Sequence, residues 1–172
     1  MNKKMMKEII SWILVFVTAI ALAFFINRFV IFRVKIPTGS MENTIMVGDK
    51  VITYHLAYLF SDPDRGDIVV FPFPDDVSVD YIKRIIGLPG ETIEGKDGLV
   101  YIDGEPLEED YVLDPLDSDF GPYVIPEDSY FMMGDNRTDS ADARYWENKF
   151  VHKKDIKGQA ILKYPDMKWL TN

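Results

Sequence analysis

At 172 residues, 47% hydrophobic and 13% aromatic, the chain has material for one cored domain, or for a core carrying a sizeable insertion. It has no cysteine, which excludes a disulfide scaffold, a thiolate zinc site and a cysteine nucleophile, and its two histidines, His55 and His152, leave imidazole chemistry few candidates. Only six of the 19 basic and one of the 28 acidic residues precede residue 36, so the remainder holds 13 against 27, a net charge of −14 that argues against a nucleic-acid binder and for a soluble body standing off anionic lipid.

Residues 9–26 carry no charge. At 1.5 Å per residue they span ~27 Å, close to the hydrocarbon thickness of a bilayer. Trp12 and the pair Phe24-Phe25 lie near the ends of the run, where aromatic rings favour the interface. Ala19-Ile20-Ala21 and Ala21-Leu22-Ala23 offer the small-x-small pattern of a cleavable signal peptide. The apolar run continues past both through Ile26, so an uncleaved transmembrane anchor is the expectation. Lys3, Lys4 and Lys7 on one flank are balanced by Arg28, Arg33 and Lys35 on the other, so the positive-inside count ties apart from the N-terminal amine. Residues 1–8 read as a cytoplasmic stub and 9–27 as a single-pass anchor, with the acidic body on the extracytoplasmic face of the cell membrane.

Beyond the anchor, Val30, Phe32, Val34 and Ile36 alternate with Ile31, Arg33 and Lys35, the period of a half-buried strand. It leads into Ile36-Pro37-Thr38-Gly39-Ser40-Met41-Glu42-Asn43-Thr44-Ile45. Pro37 fixes its own φ and Gly39 can take angles closed to other residues, which predicts a tight bend with Ser40 at its tip. A rigid turn that exposes a hydroxyl beside free backbone N–H groups is what a nucleophile needs, although Pro-x-Gly-Ser also describes an ordinary surface turn. Ile45 and Met46 add apolar surface beside Met41, which makes a membrane-facing turn geometrically reasonable.

Residues 50–54 and 67–71 are strand candidates, the second closed by Pro72 and Pro74. His55 reads as a structural or surface residue. Residues 81–86 form a strand ended by Gly87-Leu88-Pro89-Gly90, and period two puts Tyr81, Lys83 and Ile85 on one face. A lysine between apolar neighbours either snorkels at an edge or is buried, and burial lowers its pKa by up to ~3–5 units. The size matters: an unperturbed lysine near pH 7.5 is only ~0.1% neutral, a handicap of ~4 kcal/mol for a general base.

From residue 91 to 130 the sequence turns acidic and is punctuated by Gly and Pro, with a strand at 99–102 before the hairpin signal Asp103-Gly104. This predicts a small β insertion between two halves of a core, 28–90 and 131–172. The fold class expected is mainly β: an N-terminal transmembrane helix, then an antiparallel β-sheet catalytic core with that insertion. Phe131-Met132-Met133 runs into a polar loop from Gly134 to Arg144 carrying alternating acids, Ser140 and two arginines. It reads as a hydrogen-bonded support loop and not as a calcium loop, because Arg137 stands where an oxygen ligand belongs. Asp142 has two candidate partners, Arg144 and Arg137. Residues 158–162 supply a closing strand.

Together these pieces resemble the bacterial type I signal peptidases, membrane-bound serine proteases that remove signal peptides from exported proteins. The resemblance is carried by the N-terminal anchor, Thr38-Gly39-Ser40-Met41, Gly48-Asp49, Arg65-Gly66-Asp67-Ile68-Val69-Val70-Phe71, Tyr81-Ile82-Lys83-Arg84-Ile85-Ile86-Gly87, and Gly134-Asp135-Asn136-Arg137 with Ser140, Asp142 and Arg144. Each is weak alone, and their order along the chain makes the signal specific. The resemblance implies Ser40 as nucleophile and Lys83 as general base, with the Ser40 amide and the Thr38 hydroxyl forming the oxyanion hole. It implies that Ser140 orients the Lys83 ammonium while Asp142 and Arg144 brace the site. It also implies that Ile36, Pro37, Met41, Ile45 and Ile82 wall pockets for small residues at the −1 and −3 positions of a signal peptide. No metal or cofactor is called for, and the short insertion is similar to the Gram-positive form of the family.

Three positions depart from that pattern. Asn43 stands where proline is usual, implying a less rigid bend; Thr38 replaces the commoner serine; and Ala143 replaces a frequent serine. Two other readings stay open: a self-cleaving regulatory protease of the same fold, and a non-enzymatic membrane-anchored β binding module in which Ser40 is a turn residue and Lys83 an edge charge.

Overall fold

The computed structural model describes residues 3–112 and 114–171. Helix α1 spans Lys3–Phe25 and continues as a π-helical turn over Ile26–Val30, so the helix begins within the expected stub and runs past the charge-free stretch. No residue of α1 is buried against the rest of the chain, and its flanks of Trp12, Phe16, Ile20 and Phe24 stand exposed. It is the one helix among the described residues long and apolar enough to cross a bilayer. Two of its polar side chains are satisfied locally: the Thr18 hydroxyl donates to the Leu14 carbonyl at 2.6 Å, and Asn27 Nδ2 donates to the Ala23 carbonyl at 2.9 Å. That suits a segment with no water to bond.

Eight strands form the main antiparallel sheet: β1 (Ile31–Lys35), β2 (Lys50–Tyr54), β3 (Ile68–Phe73), β4 (Asp76–Gly87), β9 (Ser129–Met133), β10 (Phe150–His152), β11 (Gly158–Tyr164) and β12 (Lys168–Trp169). Their order is β1-β2-β11-β3-β4-β9-β10, with β12 added against β11. A second antiparallel sheet, β7-β6-β5-β8, is built from β5 (Thr92–Lys96), β6 (Leu99–Ile102), β7 (Glu105–Pro106) and β8 (Phe120–Val124). The mainly β fold with one apolar N-terminal helix is as expected.

Strand β2 has the predicted ends. Strand β3 does not stop at Pro72: it runs to Phe73, with Pro72 opposite Asp80 and a register shift directly after it. Proline is tolerated there because the pairing is already ending. Asp103 and Gly104 both take positive φ, +50° and +87°, as the predicted hairpin between β6 and β7 requires.

The two sheets share one core. Phe71, Ile85, Phe131, Met132 and Trp146 pack with Ile93, Val100 and Ile125 of the segment between β4 and β9. The rings of Phe120 and Phe131 stack at 5.7 Å across the sheets. Gly87 permits the close approach, since a Cβ there would lie 2.2 Å from Ile125 Cδ1. A second cluster, Ile36, Met41, Ile45, Val51, Ile68, Ala160 and Leu170, sits under the bend that follows β1.

Candidate active site

The bend is held at its base by two backbone bonds, Ile36 N–H to Asp49 O and Gly48 N–H to Ile36 O, both 2.9 Å. Inside it, the Ile45 and Thr44 amides donate to Met41 O, winding one turn that points Met41 and Ile45 into the core. Both are fully buried, each contributing about 1.5–3 kcal/mol. Met41 and Ile45 hold the bend from beneath and are not among the side chains that line the cleft above it, and the exposed apolar surface of the turn lies on Met46 and Val47. From the other side Asn136 holds the bend, its amide donating to Ser40 O and its Nδ2 to Gly39 O, each at 3.2 Å.

Lys83 reaches Ser40 from strand β4. Its Nζ donates to Ser40 Oγ at 2.5 Å, and the residues are only 4% and 7% exposed. The Tyr81 ring centroid lies 5.3 Å from the ammonium, so the period-two face is real. Burial lowers the Lys83 pKa from 10.5 to about 8; the Asp142 and Asp135 carboxylates pull it back up, and Arg144 pushes it down. At that value roughly a quarter of the amine is neutral at pH 7.5, against ~0.1% for a free lysine.

The pair opens into a cleft of about 510 Å³ lined by Ile36, Pro37, Thr38, Val70, Tyr81 and Ile82 among others. Larger hollows, about 660 and 600 Å³, lie around Phe150 and around Leu56, and neither holds Ser40 or Lys83. Thr38 lies at the cleft two residues before Ser40. Among the described residues the Ser40 amide has no acceptor, as an oxyanion donor must. His55 does not line this cleft, and its Nδ1 lies 2.6 Å from the Lys157 carbonyl oxygen.

The support loop resolves the choice of partners. Arg144 Nε donates to Asp142 Oδ1 at 2.8 Å and Nη2 to Oδ2 at 3.0 Å, while the same carboxylate accepts the Gly134 amide at 3.0 Å. Arg137 instead forks onto Glu109, at 2.7 and 2.6 Å. Ser140 is buried, and among the described residues its Oγ makes no hydrogen bond, to Lys83 or to any other group. Gly134 brings it there, since a Cβ on Gly134 would lie 2.3 Å from both Ser140 Oγ and Ser40 O.

The departures also read differently in three dimensions. Asn43 takes φ +84°, which proline cannot adopt, and its Nδ2 donates to the Tyr111 carbonyl at 2.8 Å. The bend is therefore tied at this residue and not loosened by it. Ala143 is fully buried in the main core. Sequence reasoning missed the pair of Arg84 and Asp135, joined at 2.8 and 2.6 Å with Thr44 Oγ1 donating to the same carboxylate at 2.5 Å. Arg84 follows Lys83 directly, but nothing local names a partner 51 residues away.

The profile described as signal peptidase, peptidase S26, matches residues 9–165. The chain belongs to that family. It is 39% identical over 153 residues to the probable signal peptidase I-2 of Synechocystis sp., covering 86% of this chain and 69% of that one. Signal peptidase I S of Bacillus subtilis is 35% identical over 175 residues, covering 95% of this chain and 94% of that relative. A crystal structure of a signal peptidase I from Enterococcus faecalis V583 is 36% identical, with a TM-score of 0.48, and covers 58% of this chain and 97% of that one. As a peptidase of the S26 family, the chain is a hydrolase with an N-terminal helix suited to membrane anchoring.

Proposed function

We propose that this protein is a membrane-anchored serine endopeptidase that removes N-terminal signal peptides from exported preproteins, cutting after small residues at −3 and −1. The observation that carries the reading is the 2.5 Å contact between Lys83 Nζ and Ser40 Oγ, both buried at the floor of the cleft. Neutral Lys83 takes the Ser40 proton as Oγ attacks the scissile carbonyl. The Ser40 amide and the Thr38 hydroxyl receive the developing oxyanion. As the tetrahedral intermediate collapses and the C–N bond breaks, the Lys83 ammonium protonates the departing nitrogen, and the Lys83 amine, neutral again, takes a proton from the water that hydrolyses the acyl-enzyme.

Strand β4 supports an extended substrate. It pairs with β3 between Asp76 and Arg84 but meets β9 only from Arg84 onward, so its edge from Val79 to Lys83 borders the cleft unpaired among the described residues. A peptide strand added there would present alternate side chains to the walls at Ile36, Pro37 and Ile82. In this reading residues 9–27 anchor the chain in the cell membrane, residues 1–8 face the cytoplasm, and 28–90 with 131–172 form the extracytoplasmic core around the insertion at 91–130. Signal peptides and the bilayer are its partners. The test is cleavage of a model preprotein by the wild type beside Ser40→Ala and Lys83→Ala in detergent micelles, with the cut site sequenced. Full activity in either variant overturns the dyad.

A further inference from the structure

The segment between β7 and β8 touches the catalytic core through charged and polar groups, at points the mechanism above leaves unused. The Tyr111 carbonyl accepts Asn43 Nδ2 on the shoulder of the nucleophile bend, three residues after Ser40. The Tyr111 ring lies under the Arg84 guanidinium, 4.0 Å from its centroid, on the residue next to Lys83. The Tyr111 hydroxyl donates to Glu109 Oε1 at 2.7 Å, and that carboxylate holds both terminal nitrogens of Arg137. Arg137 Nε in turn donates at 3.0 Å to the carbonyl of Gly134, the residue packed against Ser40 O. The segment is itself fastened to the second sheet, with the Leu107 amide donating to Val100 O at 2.8 Å.

Two residues of one loop thus grip each main-chain element that meets at the dyad: the bend with Ser40, the strand with Lys83, and the loop starting at Gly134. The grips are not redundant with the core packing, which holds the bend from beneath through Met41 and Ile45. Asn43 is exposed, within the turn that the Thr44 and Ile45 amides close onto Met41 O, and its Nδ2 bond ties that turn to Tyr111.

We propose that residues 107–112 act as a strap that fixes Ser40 against Lys83, with Asn43, Glu109 and Tyr111 as positioning residues. The second sheet is then part of the catalytic machinery and not an appendage to it. The inference rests on the Ser40–Lys83 reading. The physical reason is that a displacement of about 1 Å between reacting atoms costs on the order of a hundredfold in rate.

The experiment compares full-length wild type, Asn43→Asp, Glu109→Gln and the double variant on a model preprotein, with Ser40→Ala alongside. Asn43→Asp keeps the size and the tolerance of positive φ but replaces the donor with an acceptor; its exposed position keeps it foldable if Glu109→Gln is not. Expected are a fall in kcat of about tenfold or more for each single variant, KM within about twofold, and an acid limb of the pH profile at the wild-type position. The double variant should be no worse than the poorer single, because both cut the same strap. Unchanged kcat, an effect confined to KM, or losses that multiply and track a lowered melting temperature would each overturn the proposal. Residual cleavage by Ser40→Ala would instead overturn the dyad itself.

Discussion

Arg84 and Asp135 form a two-pronged ion pair, Nε to Oδ1 at 2.8 Å and Nη2 to Oδ2 at 2.6 Å, with the carboxylate fully buried. The pair joins β4 to the support loop at the residue following Lys83, and Thr44 adds the nucleophile bend to it. Asp135→Ala would leave a guanidinium buried without its counter-charge. The expected loss is about 3–5 kcal/mol of stability, read from urea denaturation in micelles. A loss below about 1 kcal/mol would mean that Arg84 swings out to water and that the pair braces nothing.

The lowered pKa of Lys83 makes two predictions with definite signs. The rate should rise with pH along a limb centred near 8, as burial drives off the ammonium proton, and a profile flat from pH 5 to 9 would contradict a lysine base. For stability, the folded pKa lies below the unfolded value of 10.5, so between the two the unfolded chain binds more protons and folding gains as pH rises. Lys83→Met should therefore be more stable than the wild type at pH 7, by up to about 3 kcal/mol, and the gap should narrow above pH 8. A gap that widens with pH would reverse the assignment of burial as the dominant cause.

Gly134→Ala tests the packing between the support loop and the bend. Its Cβ would fall 2.3 Å from the Ser40 carbonyl oxygen, a backbone atom that cannot step aside without moving the nucleophile. Expected is a loss in kcat of about a hundredfold, with the protein still folded by circular dichroism. Retention of wild-type kcat would show that the bend shifts freely relative to Lys83.

The sequence by itself determined what local chemistry can determine. An uncharged run of eighteen residues has one good solution in lipid, a helix; alternation of period two makes strands of residues 30–36 and of the stretch around Lys83; and Pro37 with Gly39 makes a bend that carries Ser40. The family was legible in the order of its motifs. Tertiary structure alone decided which polar groups meet: Arg84 with Asp135, Arg137 with Glu109, and Asn43 with Tyr111, partners separated by 51, 28 and 68 residues. It also buried Met41 and Ile45 beneath the bend and left the Ser140 hydroxyl unpaired among the described residues. Periodicity tells a side chain which face to take, but which distant charge waits on that face depends on strand order and register. Those are set by how two sheets share one core, a property of the whole chain and of no segment within it.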